Sequence, residues 1–264
     1  MPDRFILPLM QLHTQPLPFY TSSLLSVPHG CFCRLGGISP SPFDSLNLSY
    51  HVGDRDSHVT ANRKRAMAAL QIEHIVSVRQ THSDQILILE QTLENFEPQG
   101  YDAIISSLPG VGLLIQQADC QAVLLFDPEK QVIAAVHCGW RGSVLNIIEK
   151  TVCCLQEYFH VRPADLRVVI SPSLGPCCAE FIHYKKELPE WMYGFQTQPH
   201  FFDFWAMSRQ QLQNAGVFPE HIEVAAVCTC CHESFFSYRR EKKNSGGTGG
   251  RHGSIIALPG KTGG

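Results

Sequence analysis

The chain has 264 residues, a formal net charge of −3 and 44% hydrophobic residues. This length and apolar content are sufficient for a full hydrophobic core. The small negative charge gives no electrostatic basis for binding nucleic acid or an anionic membrane surface. Prolines 8, 16 and 18 interrupt the N-terminal segment, which makes it a poor signal peptide. We therefore expect a soluble globular protein, with neither nucleic acid nor a membrane as its partner.

The cysteine pattern indicates the compartment. Of the eleven cysteines, six form the adjacent pairs Cys153–Cys154, Cys177–Cys178 and Cys230–Cys231. Adjacent cysteines suit a disulfide framework poorly, and a chain of this length does not need such a framework for stability. We expect reduced thiols and a cytoplasmic protein.

The first part of the chain is rich in turns. Residues 1–30 are punctuated by prolines and are expected to form an irregular lead-in with one short strand over Ser23–Val27. Residues 31–264 are expected to form a single catalytic domain. Its first segment, residues 31–54, contains Gly36–Gly37 and several prolines. The pattern predicts a long loop, and loops of this length in a compact domain often carry functional residues.

Apolar periodicity predicts the remaining elements. Strands and helices alternate irregularly, which favours a mixed α/β sheet with helices outside it. The helix beginning at Ser143 takes that serine as its N-cap. The predicted helices cover residues 57–70, 143–155 and 200–214, and the predicted strands cover residues 74–78, 86–89, 103–105, 111–116, 122–126, 131–136, 168–170, 223–227 and 254–258.

Reactive side chains recur a few residues after predicted strands. If these strand ends meet at one edge of the sheet, His82, Cys120 and His137 converge on one crevice. Two imidazoles and a thiolate suit zinc, and three protein ligands leave a fourth position for water, as in catalytic sites. The same donors also form the equatorial set of a blue-copper centre. A Cys120 nucleophile with His137 as its base is the third alternative, a cysteine hydrolase.

Other cysteines are expected to be structural. The run Cys228–Cys231 offers metal ligands by composition, but no second paired cluster stands beside it in the sequence. Gly175–Pro176 predicts a turn that packs Cys177 and Cys178 beneath the crevice, where they line its wall without binding a metal.

Six sequence blocks, in this order over residues 31–258, resemble the successive signatures of one family. They read RLGGISPSPFDSLNLSYHVGD, QTHSDQ, ADCQAVLLFDP, AAVHCGWRGSVLNIIEKTV, SLGPCCAEF and CTCCHESFFSYRR. This is the laccase-domain, polyphenol-oxidase-like family, also described as multifunctional purine nucleoside phosphorylases and as peptidoglycan editing factor-like proteins. The resemblance implies a single compact α/β domain of mixed sheet layers flanked by helices, an α/β/β/α arrangement.

The resemblance also implies a function. His82, Cys120 and His137 are expected to bind Zn²⁺ and to be the catalytic residues, with Cu²⁺ as the alternative metal. The expected enzyme is a zinc-dependent purine nucleoside phosphorylase acting on adenosine and inosine, with methylthioadenosine as a further candidate. An adenosine deaminase activity is also expected, because bound zinc lowers the pKa of water toward about 7. The alternatives are a copper-dependent polyphenol oxidase and a Cys–His hydrolase that edits peptidoglycan precursors.

Several residues are candidates for binding the nucleoside and phosphate. Arg34, Arg63 and Arg141 are expected to hold phosphate, and Asn47 and His51 to meet the ribose or the base. Asp102 and Asp119 can orient a metal-binding histidine or act as turn residues. The sequence is compatible with a homodimer.

Three departures from the family pattern bear on the site. Ser83 and Cys138 stand where the family usually has glycine and alanine. Cys138 is therefore expected to add a thiol beside the metal, where oxidation could reach it. Gly250 lengthens the loop before Arg251, so an anion-binding role transfers to Arg251 only weakly.

Overall fold

The computed structural model describes residues 10–91 and 97–260. Their strands, in chain order, are β1 (Gln11–His13), β2 (Phe19–Thr21), β3 (His29–Phe32), β4 (His74–Ser77), β5 (Ile86–Leu89), β6 (Ala103–Ser106), β7 (Val111–Gln117), β8 (Gln121–Asp127), β9 (Val132–Cys138), β10 (Arg167–Ile170), β11 (Gln196–Gln198), β12 (Phe201–Phe202), β13 (Ile222–Val224) and β14 (His252–Ala257). The helices are α1 (Asp56–Leu70), α2 (Trp140–Leu145), α3 (Ile147–Phe159), α4 (Tyr184–Glu187), α5 (Phe204–Asn214) and α6 (Tyr238–Ser245).

Two six-stranded mixed sheets form the centre of the protein. The first has the strand order β1-β2-β3-β14-β7-β4, and the second has the order β13-β10-β8-β9-β6-β5. Strands β11 and β12 form a separate two-stranded ladder. No helix in the described residues is long and apolar enough to cross a bilayer.

Strands β8 and β9 show why the sheets stack. Successive side chains of a strand point to opposite faces, so a strand buried on both faces is apolar throughout. On β9, Ile133 and Ala135 face the core between the sheets, while Ala134 and Val136 face the helices outside. His137 continues the first series and Cys138 the second, which puts these adjacent residues on opposite faces.

Helices cover both outer faces. Ala66 and Leu70 of α1 pack on the first sheet, and Ile148 and Val152 of α3, with Leu212 of α5, pack on the second. The layers are therefore α/β/β/α in a single α/β domain, as the sequence predicted.

The N-terminal prediction needs correction. Residues 10–30 are not an irregular lead-in, because β1, β2 and the start of β3 extend the first sheet. The strand expected over Ser23–Val27 is a turn between β2 and β3. These strands are too short to show a periodic pattern; β1 pairs with β2, β2 with β3, and β3 with β14. Residues 1–9 lie outside the described residues.

The helix predicted over residues 143–155 is two helices. Asn146 adopts a left-handed conformation, with φ 56°, and it ends α2 and begins α3. Asparagine tolerates this conformation better than most residues. Ser143 is not an N-cap but a buried residue inside α2, and the extended residue before that helix is Gly139.

Candidate metal centre and its cavity

Three separate segments bring His82, Cys120 and His137 together. His82 lies in the loop after β4, Cys120 in the turn between β7 and β8, and His137 near the end of β9. Their donor atoms all lie within 4.8 Å of one another, and the Cys120 Sγ is 3.8 Å from His82 Nε2. His82 is exposed, Cys120 is half-buried and His137 is buried, so the trio extends from the core to the solvent-accessible surface.

Asp102 holds two of the three residues in position, one through its ring and one through its backbone. Its fully buried carboxylate accepts a 2.7 Å hydrogen bond from His137 Nδ1, which leaves Nε2 for the site. It also accepts hydrogen bonds from the backbone N–H groups of Thr81, His82 and Ser83, at 3.1, 3.0 and 2.6 Å. His82 has a positive φ of 60°, and these bonds hold that uncommon conformation in place.

Gly139 provides the space that the trio occupies. A Cβ atom at this position would lie 2.9 Å from Cys120 Sγ and 3.1 Å from His82 Cδ2. The first distance is shorter than a real Cβ contact, so a larger residue would displace the sulfur. The backbone of this glycine is ordinary, with φ −81°, and its role is therefore steric.

Cys120 and His137 shift each other's pKa. Burial raises the pKa of the Cys120 thiol, but the His137 charge and hydrogen bonds from His137 and His82 outweigh it and lower the pKa to about 6. Burial lowers the pKa of His137, but the Cys120 thiolate and Asp102 outweigh it and raise the pKa to about 9. The pair therefore favours thiolate and imidazolium at neutral pH.

This donor set fits a transition-metal ion. One thiolate and two imidazoles form three sides of a four-coordinate zinc site. The bond from His137 to a buried carboxylate is the arrangement that orients metal-binding histidines in proteins. The cavity leaves the remaining side of the site open to a ligand.

A cavity of about 990 Å³ opens over the trio. This volume is at the upper end of the range for small-molecule sites. Its wall combines aromatic rings, cations and carboxyl groups, contributed among others by Trp140, Phe181, Glu180, Arg239, Lys242 and Lys243.

The structure brings one of the five expected substrate-binding residues to this cavity. His51 lines it, and Nε2 of this histidine lies 2.8 Å from the Glu97 carboxylate. Asn47 is fully buried and bonds to Ser49 and to the backbone N–H of Arg251. It holds two loops together behind the wall.

The expected phosphate-binding arginines also lie away from the cavity lining. Arg63 donates to the Leu48 carbonyl, to Ser77 and to Glu97, the last at 2.7 Å. Arg141 is exposed, with its guanidinium over the Trp140 ring. Arg34 pairs with Asp44 at 2.7 Å. Each guanidinium has a local partner instead of a free position facing the trio.

The cations that do line the cavity come mainly from α6. Arg239, Lys242 and Lys243 lie on this helix, and Arg251 follows it in the chain. The sequence placed the two arginines in a family block and in a glycine-rich loop but gave no reason to select α6. Only the three-dimensional structure shows that α6 lies beside the trio: Asp119, adjacent to Cys120, accepts a 2.6 Å hydrogen bond from the Arg239 backbone N–H.

Cys138 does not add a thiol to the trio. Its side chain belongs to the core on the helix-covered face of the second sheet, with the Sγ 3.4 Å from Ser143 Oγ. Burial raises the pKa of this thiol to about 12. It is therefore a packing residue.

Residues 28–259 match the family described as multi-copper polyphenol oxidoreductase laccase, and the chain belongs to this family. It is 35% identical over 237 residues to a purine nucleoside phosphorylase, YfiH, of Shigella flexneri, covering 85% of this chain and 91% of the relative. It is 32% identical to the purine nucleoside phosphorylase YlmD of Geobacillus stearothermophilus, covering 82% and 86%.

Solved structures show the same fold. The crystal structure of YlmD from Geobacillus stearothermophilus superposes with a TM-score of 0.86 at 28% identity, covering 96% of this chain and 99% of that one. A Bacillus licheniformis protein, YfiH, superposes with a TM-score of 0.84 at 29% identity, covering 94% and 98%.

Proposed function

We propose that the chain is a zinc-dependent purine nucleoside phosphorylase acting on adenosine and inosine, with methylthioadenosine as a further substrate. The observation that carries this proposal is a cavity lined both by the His82–Cys120–His137 trio and by the cations of α6. Relatives of similar length are named purine nucleoside phosphorylases. We further propose an adenosine deaminase activity at the same site. All eleven cysteines are free, which supports a reducing, cytoplasmic setting.

The wall suits each part of a nucleoside and its co-substrate. Trp140 and Phe181, whose ring centroids are 6.3 Å apart, offer aromatic faces to a purine. Arg239, Lys242 and Lys243 offer donors to a phosphate dianion, and Arg251 adds a further positive charge to the same cavity. Phosphate and base would therefore be bound by different parts of the wall.

The two reactions require different groups. In phosphorolysis, a phosphate oxygen bonds to C1′ while the glycosidic bond breaks and the base leaves with its electron pair. In deamination, water replaces the C6 amino group and ammonia leaves. A zinc ion held by His82, Cys120 and His137 would supply Lewis acidity and lower the pKa of water. Glu180 of the wall is a carboxylate of the type that transfers protons in such steps.

A phosphate-dependence assay tests the proposal. Adenosine should give adenine only when inorganic phosphate is present, and inosine with or without it, measured separately by chromatography. Cys120→Ser should lose the zinc of the trio and both activities while the melting transition remains cooperative, because the core dominates stability. Full zinc occupancy in Cys120→Ser, or no product from any purine nucleoside, would refute the proposal.

A charge variant tests the anion site. Lys242→Gln should raise the KM for phosphate about tenfold and leave deamination unchanged, because only phosphorolysis uses that anion. Lys130→Gln is the matched control, since this exposed lysine lies in the β8–β9 turn at the far end of the strands. Equal effects of the two variants on the KM for phosphate would show that α6 does not bind phosphate.

A specific observation favours a second candidate, the Cys–His hydrolase. The lowered pKa of Cys120, the raised pKa of His137 and the Asp102–His137 bond together resemble a nucleophile, base and orienting carboxylate. Such an enzyme would cleave an amide, for example in a peptidoglycan precursor. Its activity would survive chelation of zinc and be abolished by iodoacetamide, whereas the phosphorylase would be silenced by the chelator.

The copper oxidase has less support. A blue-copper centre adds a weak axial ligand, commonly methionine, to two histidines and a cysteine. Met10, Met67, Met192 and Met207, the methionines among the described residues, do not line the cavity. Copper-dependent oxidation of a phenol by the purified protein would reverse this ranking.

A further inference from the structure

A second group of donor side chains lies outside the cavity. The Sγ atoms of four cysteines lie within 4.8 Å of one another, and none of these residues lines the cavity. We refer to this group, formed by Cys177, Cys178, Cys228 and Cys231, as the four-cysteine cluster. This placement corrects the sequence expectation that the adjacent cysteines line the cavity wall.

The sheet brings the two halves of the cluster together. Strands β10 and β13 pair in parallel, so the loops that follow them leave the same edge side by side. The pairing continues beyond the strands, because Ser173 N–H donates to the Val227 carbonyl and Thr229 N–H donates to the Ser173 carbonyl, at 3.1 and 3.0 Å. The first loop then turns at Gly175–Pro176 into the adjacent cysteines. The second loop contains a Cys-x-x-Cys spacing.

The sulfur spacing matches a tetrahedral thiolate site. Cys231 Sγ lies 3.6 Å from Cys177 Sγ and 3.4 Å from Cys178 Sγ. A zinc ion about 2.3 Å from four tetrahedral sulfurs separates each pair of them by about 3.8 Å. All four cysteines are free, and the separations exceed a disulfide bond. The spacing therefore fits one shared cation.

Packing does not account for the cluster. None of the four residues belongs to a hydrophobic core of the described residues, and Cys177 and Cys231 are exposed. One sulfur has a backbone donor, since the Gly175 N–H points to Cys228 Sγ at 3.3 Å. Such donors are typical of the surroundings of metal-bound thiolates.

We propose a structural zinc site, distinct from the cavity, whose ligands are Cys177, Cys178, Cys228 and Cys231. Four soft thiolates close the coordination sphere, so this zinc has no open position for a substrate. It binds as Zn²⁺ with release of thiol protons and without change of oxidation state. The proposal is independent of the reaction catalysed in the cavity.

The zinc site would stabilise the cavity wall through the hydrogen bonds that its two loops make with Asp119. The Asp119 carbonyl accepts a 2.8 Å hydrogen bond from Leu174 N–H, and the carboxylate accepts one of 2.7 Å from Thr229 Oγ1. Leu174 lies in the loop that leads to the first cysteine pair, and Thr229 lies between the other two cysteines. The four-cysteine cluster thus fixes the loops that hold the residue adjacent to Cys120. Its cysteines are positioning residues.

Metal analysis of the reduced, zinc-loaded full chain tests the proposal. Cys231→Ser should lose about one zinc equivalent relative to the parent chain while keeping the zinc of the trio. Cys230→Ser is the matched control, because Cys230 is adjacent but outside the cluster, and it should keep both. His82→Ala should lose the other equivalent. Unchanged zinc content in Cys231→Ser would overturn the assignment.

A second measurement needs no variant. In the zinc-loaded chain, Cys177 and Cys231 should resist iodoacetamide, while the exposed Cys153 on α3 is labelled. A chelator should make all three reactive, as read by peptide mass. Cobalt substitution should also give strong sulfur-to-metal absorption, and Cys231→Ser should keep only the weaker part that comes from Cys120. Equal labelling of Cys153 and Cys231 in zinc, a disulfide within the cluster under reducing conditions, or copper as the bound metal would each contradict the proposal.

Discussion

The Asp102 carboxylate bonds to His137 Nδ1 at 2.7 Å and, through the same oxygen, to the His82 backbone N–H at 3.0 Å. One buried carboxylate therefore fixes the ring of one candidate metal ligand and the main chain of another. The two candidate ligands come from different sheets of the sandwich: His82 follows β4, and His137 lies on β9. Asp102 is the group that connects them.

We predict that Asp102→Asn weakens zinc binding by about 10- to 100-fold, because the amide turns a donor toward N–H groups that need an acceptor. Zinc affinity should be measured by competition with a chromophoric chelator. Asp165→Asn is the control, since Asp165 pairs with Arg162 on the surface. Equal zinc affinity in Asp102→Asn and the parent chain would show that this bond does not orient His137.

We predict that Gly139→Ala expels the metal without unfolding the chain. The added Cβ would compete with Cys120 Sγ for the same space, whereas the backbone of this residue already suits alanine. Gly194→Ala is the control, because a Cβ there meets nothing within 4 Å. The zinc content and melting temperature of both variants should be compared. A Gly139→Ala protein with full zinc content would mean that the sulfur can move aside.

We predict that Arg63→Leu lowers stability and leaves the KM for phosphate unchanged. Arg63 and Glu97 form a pair with side chains only 11% and 14% exposed, and removing the arginine leaves this mostly buried carboxylate with His51 as its remaining ion-pair partner. The cost should be on the order of 3 kcal/mol in denaturant unfolding. Adding Glu97→Gln should recover part of it. A raised KM at unchanged stability would return Arg63 to the anion site.

We predict that stability falls with decreasing pH because of His252. This buried residue has no hydrogen-bond partner for either ring nitrogen among the described residues. Burial lowers the pKa of His252 to about 3, and the charges of Arg251, Arg240 and Arg34 act in the same direction. Below an unfolded pKa of about 6.5, the unfolded chain takes up a proton that the folded chain does not. His252 should therefore cost about 1.4 kcal/mol per pH unit between about pH 6.5 and pH 3.

Unfolding in urea at pH 7.5 and pH 5.5 checks this prediction. The loss of stability between the two values should be smaller in His252→Leu than in the parent chain, since leucine takes up no proton. His74→Leu, at an exposed histidine, should keep the parent's dependence. An identical pH dependence in His252→Leu and the parent would show that His252 is protonated in the folded state.

The sequence predicted the buried strands well and the contacts between distant segments poorly. Strands β7, β8 and β9 are long apolar runs bounded by polar turns, so their pattern is local. Strands β1 and β2 have three residues each; β1 pairs with β2 and β2 with β3, which no local pattern reveals. The break at Asn146 was missed because the apolar spacing of α3 continues through it.

The same distinction applies to the site. His82, Cys120 and His137 could be selected because each follows an apolar strand and has metal-binding chemistry. The four-cysteine cluster could not be assembled, because its two halves meet only through the parallel pairing of β10 and β13. The role of α6 depends likewise on the Asp119–Arg239 contact, which joins residues 120 positions apart.

The hairpin of β8 and β9 carries a further consequence. Its register pairs Ala122 with His137 and Gln121 with Cys138, and a one-residue slip moves every side chain to the other face. Such a slip would place the Cys138 thiol where the His137 imidazole lies in the candidate metal centre. The register is set about 20 Å away, where Asp127 caps the turn by accepting hydrogen bonds from Glu129 and Lys130. An insertion in that surface turn that shifted the register would therefore change the ligand chemistry of the metal centre without altering any residue near it.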